Sequence, residues 1–124
     1  LNVEENITLP CELDGQTVDK KRLDKLIDEL GLNGRKTHLP EELSGGQQQR
    51  VSIGRALINR PAIVLADEPT GNLDKKNSDE IVELLRRANQ EYRQTIIMIT
   101  HNLEIAKTAD RVIVIEDGKI IREG

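Results

Sequence analysis

The chain has almost no aromatic residues. Tyr92 is the single one, and Phe and Trp are absent. A platform that binds nucleic acid by stacking successive bases is therefore excluded in this chain. Cysteine is nearly absent too. Cys11 stands alone, so no internal disulfide can form, which suits a reducing cytoplasm. Long apolar runs are missing. Stretches such as Ile96–Ile99 and Val112–Ile115 are short, far from the roughly 20 apolar residues that cross a bilayer. The opening residues carry no signal-peptide pattern. Nor is there an excess of positive charge: Lys plus Arg is 18 against 22 for Asp plus Glu, a net charge of −4. That weighs against binding nucleic acid through bulk charge on its phosphates.

What is abundant is aliphatic. Fifteen Leu, fourteen Ile and seven Val make 36 of the 124 residues, enough for a folded core and too much for a disordered chain. The length is that of about one domain. No internal repeat, low-complexity tract or linker divides it.

Residues 1–16 read as irregular, with Pro10 and an Asp14-Gly15 turn signal. Thr17 can cap a helix to about Leu30, with Val18, Leu23, Leu26, Ile27 and Leu30 on one stripe and Gly31 as its stop. A polar loop with Asn33-Gly34, His38 and Pro40 follows. Ser44 and Gln47 have the spacing of a capping box; the helix they open runs to Asn59, before Pro61. Gly54 inside it costs about 1 kcal/mol against Ala, which suggests close packing there. Ala62–Ala66 reads as a strand buried on both faces. A further helix starts at Asn77 or Ser78 and runs to Gln94, with Ile81, Val82, Leu84, Leu85 and Ala88 inward. Thr95–Thr100 is a second buried strand, and Leu103–Thr108 a short helix. Arg111–Ile115 and Lys119–Ile121 flank Asp117-Gly118, a hairpin signal. Strands alternating with helices imply an α/β protein with a parallel sheet covered by helices. In such a sheet the ligand crevice lies beyond the carboxyl ends of the strands, where Asp67, Glu68 and His101 fall.

An apolar strand ending in a carboxylate can hold Mg²⁺, directly or through water. A second carboxylate beside it can polarise an attacking water. Two acids in a solvated loop explain Asp67-Glu68 equally well when taken alone. The segment Ser44-Gly45-Gly46 places two glycines at a helix start, where free N–H groups and the helix dipole favour an anion. Taken alone, it is also an ordinary capped helix with a flexible entry.

The four segments taken together are far more specific. LSGGQQQR at 43–50, the strand ending ADEPT at 66–70, GNLD at 71–74 and ITH at 99–101 resemble, in order and spacing, the ATP-binding subunits of ABC transporters. The resemblance extends from Glu5-Asn6-Ile7-Thr8-Leu9-Pro10, similar to an ENVxLP stretch, to Asp117-Gly118-Lys119-Ile120. GNLD, the ENITLP-like start and the EIAKTADRVIVIEDGKI ending most resemble the lipoprotein-releasing and macrolide or peptide-antibiotic export branch.

The resemblance implies a role for each matching position. Ser44, Gly45, Gly46 and Gln47 resemble the signature motif, which contacts the γ-phosphate of ATP held by the opposite subunit. Asp67 resembles the Walker B aspartate, which helps hold Mg²⁺. Glu68 resembles the catalytic glutamate, and His101 the switch histidine at the γ-phosphate. Asn72, Leu73 and Asp74 resemble the D-loop at the dimer interface. His38 reads as a solvated loop residue, and Arg50, Arg55 and Arg60 as surface or ion-pair residues of their helix.

The sequence also departs from the family pattern. No Gly-Lys-Ser/Thr of a Walker A loop occurs. The Q-loop glutamine and the adenine-stacking aromatic are not found either. Asn102 stands where Asp often follows the histidine, and Gly54 replaces a commoner Ala. The resemblance therefore implies the C-terminal portion of an ABC nucleotide-binding domain. The fold expected is a partial P-loop NTPase-type parallel sheet with flanking helices, preceded by part of the helical subdomain and ending in a β-hairpin. Residues 1–60 would belong to the helical subdomain and 61–124 to the RecA-like core. The parent is expected to be an ATPase that uses ATP and Mg²⁺. It would pair with a second ATP-binding subunit, as a homodimer, and with transmembrane permease subunits, on the cytoplasmic face of the membrane and without nucleic acid. The chain alone is expected to lack ATPase activity and to bind ATP weakly.

Two other readings remain open at this point. One is the ABC-type head of a DNA-repair or chromosome ATPase, which would bring long heptads or zinc-binding cysteines. The other is a non-catalytic fragment that self-associates or domain-swaps through uncovered sheet edges.

Overall fold

A computed structural model describes all residues, 1–124. Five α-helices and four strands occur in the order α1 (Val3–Leu13), α2 (Lys20–Glu29), α3 (Gly45–Leu57), β1 (Ile63–Asp67), α4 (Lys75–Tyr92), β2 (Thr95–Ile99), α5 (Leu103–Ala106), β3 (Ile113–Glu116) and β4 (Lys119–Glu123), with two single 3₁₀ turns between α2 and α3.

The first helix corrects the expectation of an irregular start. Asn2 and Glu5 form a reciprocal capping box, and Val3, Ile7 and Cys11 then fall four residues apart on one buried stripe. Loop carbonyls complete the cap: the amides of Val3 and Glu4 donate to His38 O and Lys36 O. Pro10 lies inside this helix. Its missing N–H leaves the carbonyl of Asn6 without an intrahelical partner. Arg55 of α3 donates to that oxygen through Nε at 3.2 Å, and through Nη2 to the Asn6 side chain at 2.6 Å. A long-range donor thus replaces the bond that proline removes. The same loop leaves His38 half-buried rather than solvated.

The second helix is capped by Asp19, whose side chain accepts from Lys21 N and Arg22 N, rather than by Thr17. Leu23, Leu26, Ile27 and Leu30 are buried as expected, and Gly31, at φ +70°, closes the helix. Ser44 and Gln47 form the expected capping box on α3. The core lies among α1, α2, α3, α4 and the inner side of β1. Gly54 sits at its centre: a Cβ there would lie 2.7 Å from Leu30 Cδ1 and 3.2 Å from Ile7 Cδ1. Both neighbours are fully buried, so there is little room for them to yield. Gly54→Val should destabilise the protein by about 1–3 kcal/mol through overpacking, despite removing a helical glycine. Chemical denaturation would measure it, and an unchanged midpoint would mean that the core can relax around the site.

The strands β1 and β2 pair in parallel, Ile63 opposite Thr95 through Asp67 opposite Ile99. The α4 crossover between them is capped by Asp74 and buries Ile81, Leu85 and Ala88. Val82 and Leu84, expected inward, are only half-buried. A larger correction concerns the strands. Of β1 only Val64 is buried, while Leu65 is 75% and Ile99 58% exposed. Helices cover one face of this pair, and the other carries a row of bare aliphatics. The hairpin β3–β4 forms a separate two-stranded antiparallel sheet. Asp117 and Gly118, both at positive φ, make its turn as expected.

Candidate functional site

Strand β1 ends at Asp67, and the chain leaves it through Glu68 in the left-handed region, φ 49°. This is uncommon for a residue with a side chain and is found where neighbours over-determine the backbone. Here the Glu68 amide donates to Ile99 O of β2 at 2.8 Å, and the Glu68 carbonyl accepts from Gly71 N at 3.0 Å. Buried Pro69 follows. The parallel register then sets His101 two residues beyond the β2 residue opposite Asp67. Glu68 Oε1 and His101 Nε2 are 3.3 Å apart. The His101 side chain is 97% and that of Glu68 35% exposed, and Glu68 Oε1 is itself buried without a hydrogen-bond partner. Next to it, Asn102 N donates to Thr100 Oγ1. The Asn102 side chain caps α5 by accepting from Glu104 N and Ile105 N. An Asn at this position is thus a functioning cap.

Asp67 is exposed and takes part in none of the ion pairs. No group of three His, Cys, Asp or Glu side chains could cage a metal. Asp67, an exposed carboxylate at a strand end, is the kind of single donor that Mg²⁺ takes while completing its shell with water and substrate phosphates.

The segment Ser44–Gln47 forms the start of α3. Ser44 Oγ accepts from Gln47 N, and Gln47 Oε1 accepts from Ser44 N. The amides of Gly45 and Gly46 have no acceptor within the chain, as at any open helix start. No hydrogen bond or ion pair ties this segment to Glu68 or His101. It packs instead on the start of α4. A Cβ on Gly46 would lie 2.5 Å from Asn77 Oδ1, and one on Gly45 would lie 3.9 Å from Leu73 Cδ2. Asn72 adopts φ 66°. Asp74 caps α4, accepting from the backbone and side-chain N–H groups of Asn77. These two bonds, with Lys76 nearby, hold the Asp74 carboxyl below its ordinary range. The sequence reading passed over Asn77 as a site residue. Its signal was the three-residue spacing from Asp74, which is cap spacing.

The structure therefore forms two groups from the sequence-derived residues. Glu68 and His101 meet beyond the strand ends, with Asp67 as the last residue of β1, and Ser44–Gln47 meets Leu73 and Asn77 at two helix starts. A carboxylate–imidazole pair beyond the ends of a parallel strand pair, with a glycine-rich helix start open to an anion, places the chain among α/β proteins with a ligand crevice at their strand ends.

Comparison with known proteins narrows this class. The sequence pattern of ABC transporter domains matches residues 1–71. The macrolide export ATP-binding/permease protein MacB of Bartonella henselae is 49% identical over 120 residues, covering 95% of this chain and 18% of that protein. The lipoprotein-releasing system ATP-binding protein LolD 1 of Rhodopirellula baltica is 44% identical over 126 residues, covering 100% of this chain and 55% of that one. Dimeric structures of the ATP-binding cassette MJ0796 superpose with TM-scores of 0.85, for a post-hydrolysis state bound to ADP and Pi, and 0.83, each at 38% identity and over 56% of that chain. The chain belongs to the ABC transporter family. It falls in its ATP-binding part and is most similar to the lipoprotein-release and macrolide-export branch. It spans about half the length of the ATP-binding relatives it matches.

Proposed function

We propose that this chain supplies the signature, Walker B, D-loop and switch segments of an ATP-binding subunit that hydrolyses ATP for an ABC transporter of the export or lipoprotein-release type. The observation that carries this reading is Glu68 against His101 at the strand ends of a chain whose residues 1–71 match ABC transporter domains, with Ser44–Gln47 at the open start of α3. No hydrogen bond or ion pair joins the two groups. Two subunits facing head to tail would bring the signature of one over the nucleotide held at the strand ends of the other. Residues 1–60 would then act as the helical arm that carries the signature, and 61–124 as part of the RecA-like core. The bare face of β1 and β2 would pack against the remainder of the longer protein.

In this arrangement Glu68 accepts the proton of the water that attacks the γ-phosphoryl group. His101, whose Nε2 lies 3.3 Å from Glu68 Oε1, sits beside that carboxylate and contacts the γ-phosphate. The Gly45 and Gly46 amides and Ser44 of the facing subunit donate to the charge that develops there. Asp67 would hold Mg²⁺, which neutralises phosphate charge when bound. The partners are a second copy of the subunit and membrane permeases, and the subunit works on the cytoplasmic face.

Gel filtration of the full-length subunit tests the two-subunit site. ATP under conditions that block hydrolysis should convert monomer to dimer, and ADP should not. A full-length subunit that stays monomeric at saturating ATP would overturn the trans-acting role of Ser44–Gln47.

A further inference from the structure

Asn77 touches three elements of the site at once. Its Oδ1 accepts from Arg50 Nη2 at 3.3 Å. Its Nδ2 and backbone N donate to Asp74 Oδ1 at 2.9 and 2.8 Å. The same Oδ1 occupies the space that a Cβ on Gly46 would take, 2.5 Å away. Arg50 lies one turn beyond the signature on α3, its side chain 15% exposed, and also pairs with Glu80 of α4. The start of α3 and the start of α4 are therefore clamped through one amide. Gly46 has no side chain, and this lets the two helix starts approach closely enough for the clamp to close.

We infer that Asn77, held by Arg50, is a positioning residue that locks the signature segment Ser44–Gln47 to the D-loop segment Asn72–Asp74 within one subunit. The inference rests on the proposed two-subunit site and deepens it. Both segments would enter the same interface, and their relative placement decides whether the Gly45 and Gly46 amides reach the facing γ-phosphate. A misplacement of about 1 Å costs up to about 100-fold in rate. The clamp acts on geometry in trans, whereas the nucleotide is gripped in cis, so its loss should fall on turnover more than on ATP affinity.

The test uses the full-length subunit carrying Asn77→Ala or Asn77→Asp. The second variant keeps the size of the side chain and the acceptor for Arg50. It loses the donor to Asp74 and sets two carboxylates together. Each should lower kcat by about 10-fold while KM for ATP stays within about 2-fold. Amide hydrogen exchange at Gln47 and Gln48, whose N–H groups donate to Ser44 Oγ and Ser44 O, should rise in both, although the substitution lies on another helix. Asp79→Ala, which removes only an exposed pair with Lys75, should change neither. Wild-type kcat in both Asn77 variants, or exchange at Gln47 and Gln48 that does not respond, would overturn the clamp. The exchange readout requires no turnover. If Glu68→Gln hydrolysed ATP normally, the reading of the base would fail, and exchange would still decide the clamp.

Discussion

Glu68→Gln in the full-length subunit should lower ATP turnover by about 10²–10⁴-fold, the usual contribution of a positioned general base. That corresponds to about 3–5 kcal/mol of transition-state stabilisation. Gln has the same length and keeps a polar oxygen for the attacking water, but it cannot take a proton. The backbone that holds Glu68 at φ 49° is fixed by the bond to Ile99 O and by the return bond from Gly71 N. Neither involves the side chain, so the variant should fold normally. The loss should therefore appear in kcat, with ATP affinity little changed. Steady-state phosphate release and equilibrium nucleotide binding, measured on the same preparation, would separate the two. Undiminished turnover would remove Glu68 from the chemistry and reduce its contact with His101 to a surface ion pair.

A polypeptide of these 124 residues alone should show no measurable ATPase activity and only weak ATP binding. The sequence contains no Gly-Lys-Ser/Thr, so nothing here cradles the β- and γ-phosphates in cis as a Walker A loop does. The glycine-rich helix start at Ser44–Gln47 is not linked to Glu68 and His101, and a single helix start is a weak grip on a triphosphate. The bare aliphatics of the β1–β2 face, including Ile63, Leu65, Ile97 and Ile99, give the isolated polypeptide a second difficulty. An exposed apolar sheet face favours association over a defined nucleotide site. A phosphate-release assay on the purified 124-residue polypeptide checks the expectation, and turnover at the rate of the full-length subunit would refute it.

Much of the site is legible along the chain because its chemistry is local. The Ser44/Gln47 capping box needs only a three-residue spacing, and it formed where expected. The Asp117-Gly118 turn is dictated by backbone preferences. Asp67, Glu68 and His101 could be placed at strand ends from the apolar runs before them, and the parallel register brought Glu68 to 3.3 Å from His101. The first helix was missed for an equally local reason. Pro10 and Asp14-Gly15 argue for a break; the Asn2–Glu5 box and the Val3, Ile7, Cys11 stripe, which argue for the helix, did not enter that expectation. What makes Pro10 tolerable is Arg55, about fifty residues away in sequence, and no local pattern reveals such a donor.

Strand burial failed in the opposite direction. Ala62–Ala66 and Thr95–Thr100 are apolar enough for a sheet covered on both faces. Burial is a property of what packs on a strand, and here only one face of the pair is covered. Arg50 shows the same limit. Its sequence suggested a surface or ion-pair residue of the helix, and it does pair with Glu80. Its bond to Asn77, across the close approach at Gly46, follows only from how α3 lies on α4.

The sequence by itself thus determined the family, the order of the motifs, the capped start of α3 and the identity of the acid and imidazole at the strand ends. These depend on residue type at short spacing, which the chain states directly. The tertiary structure alone decided that Ser44–Gln47 sits against Leu73 and Asn77 rather than against Glu68, and that Asn77 bonds both Arg50 and Asp74. It also decided that one sheet face is bare. Those outcomes depend on which surfaces meet, and helix packing settles that through side-chain volumes contributed from distant parts of the chain.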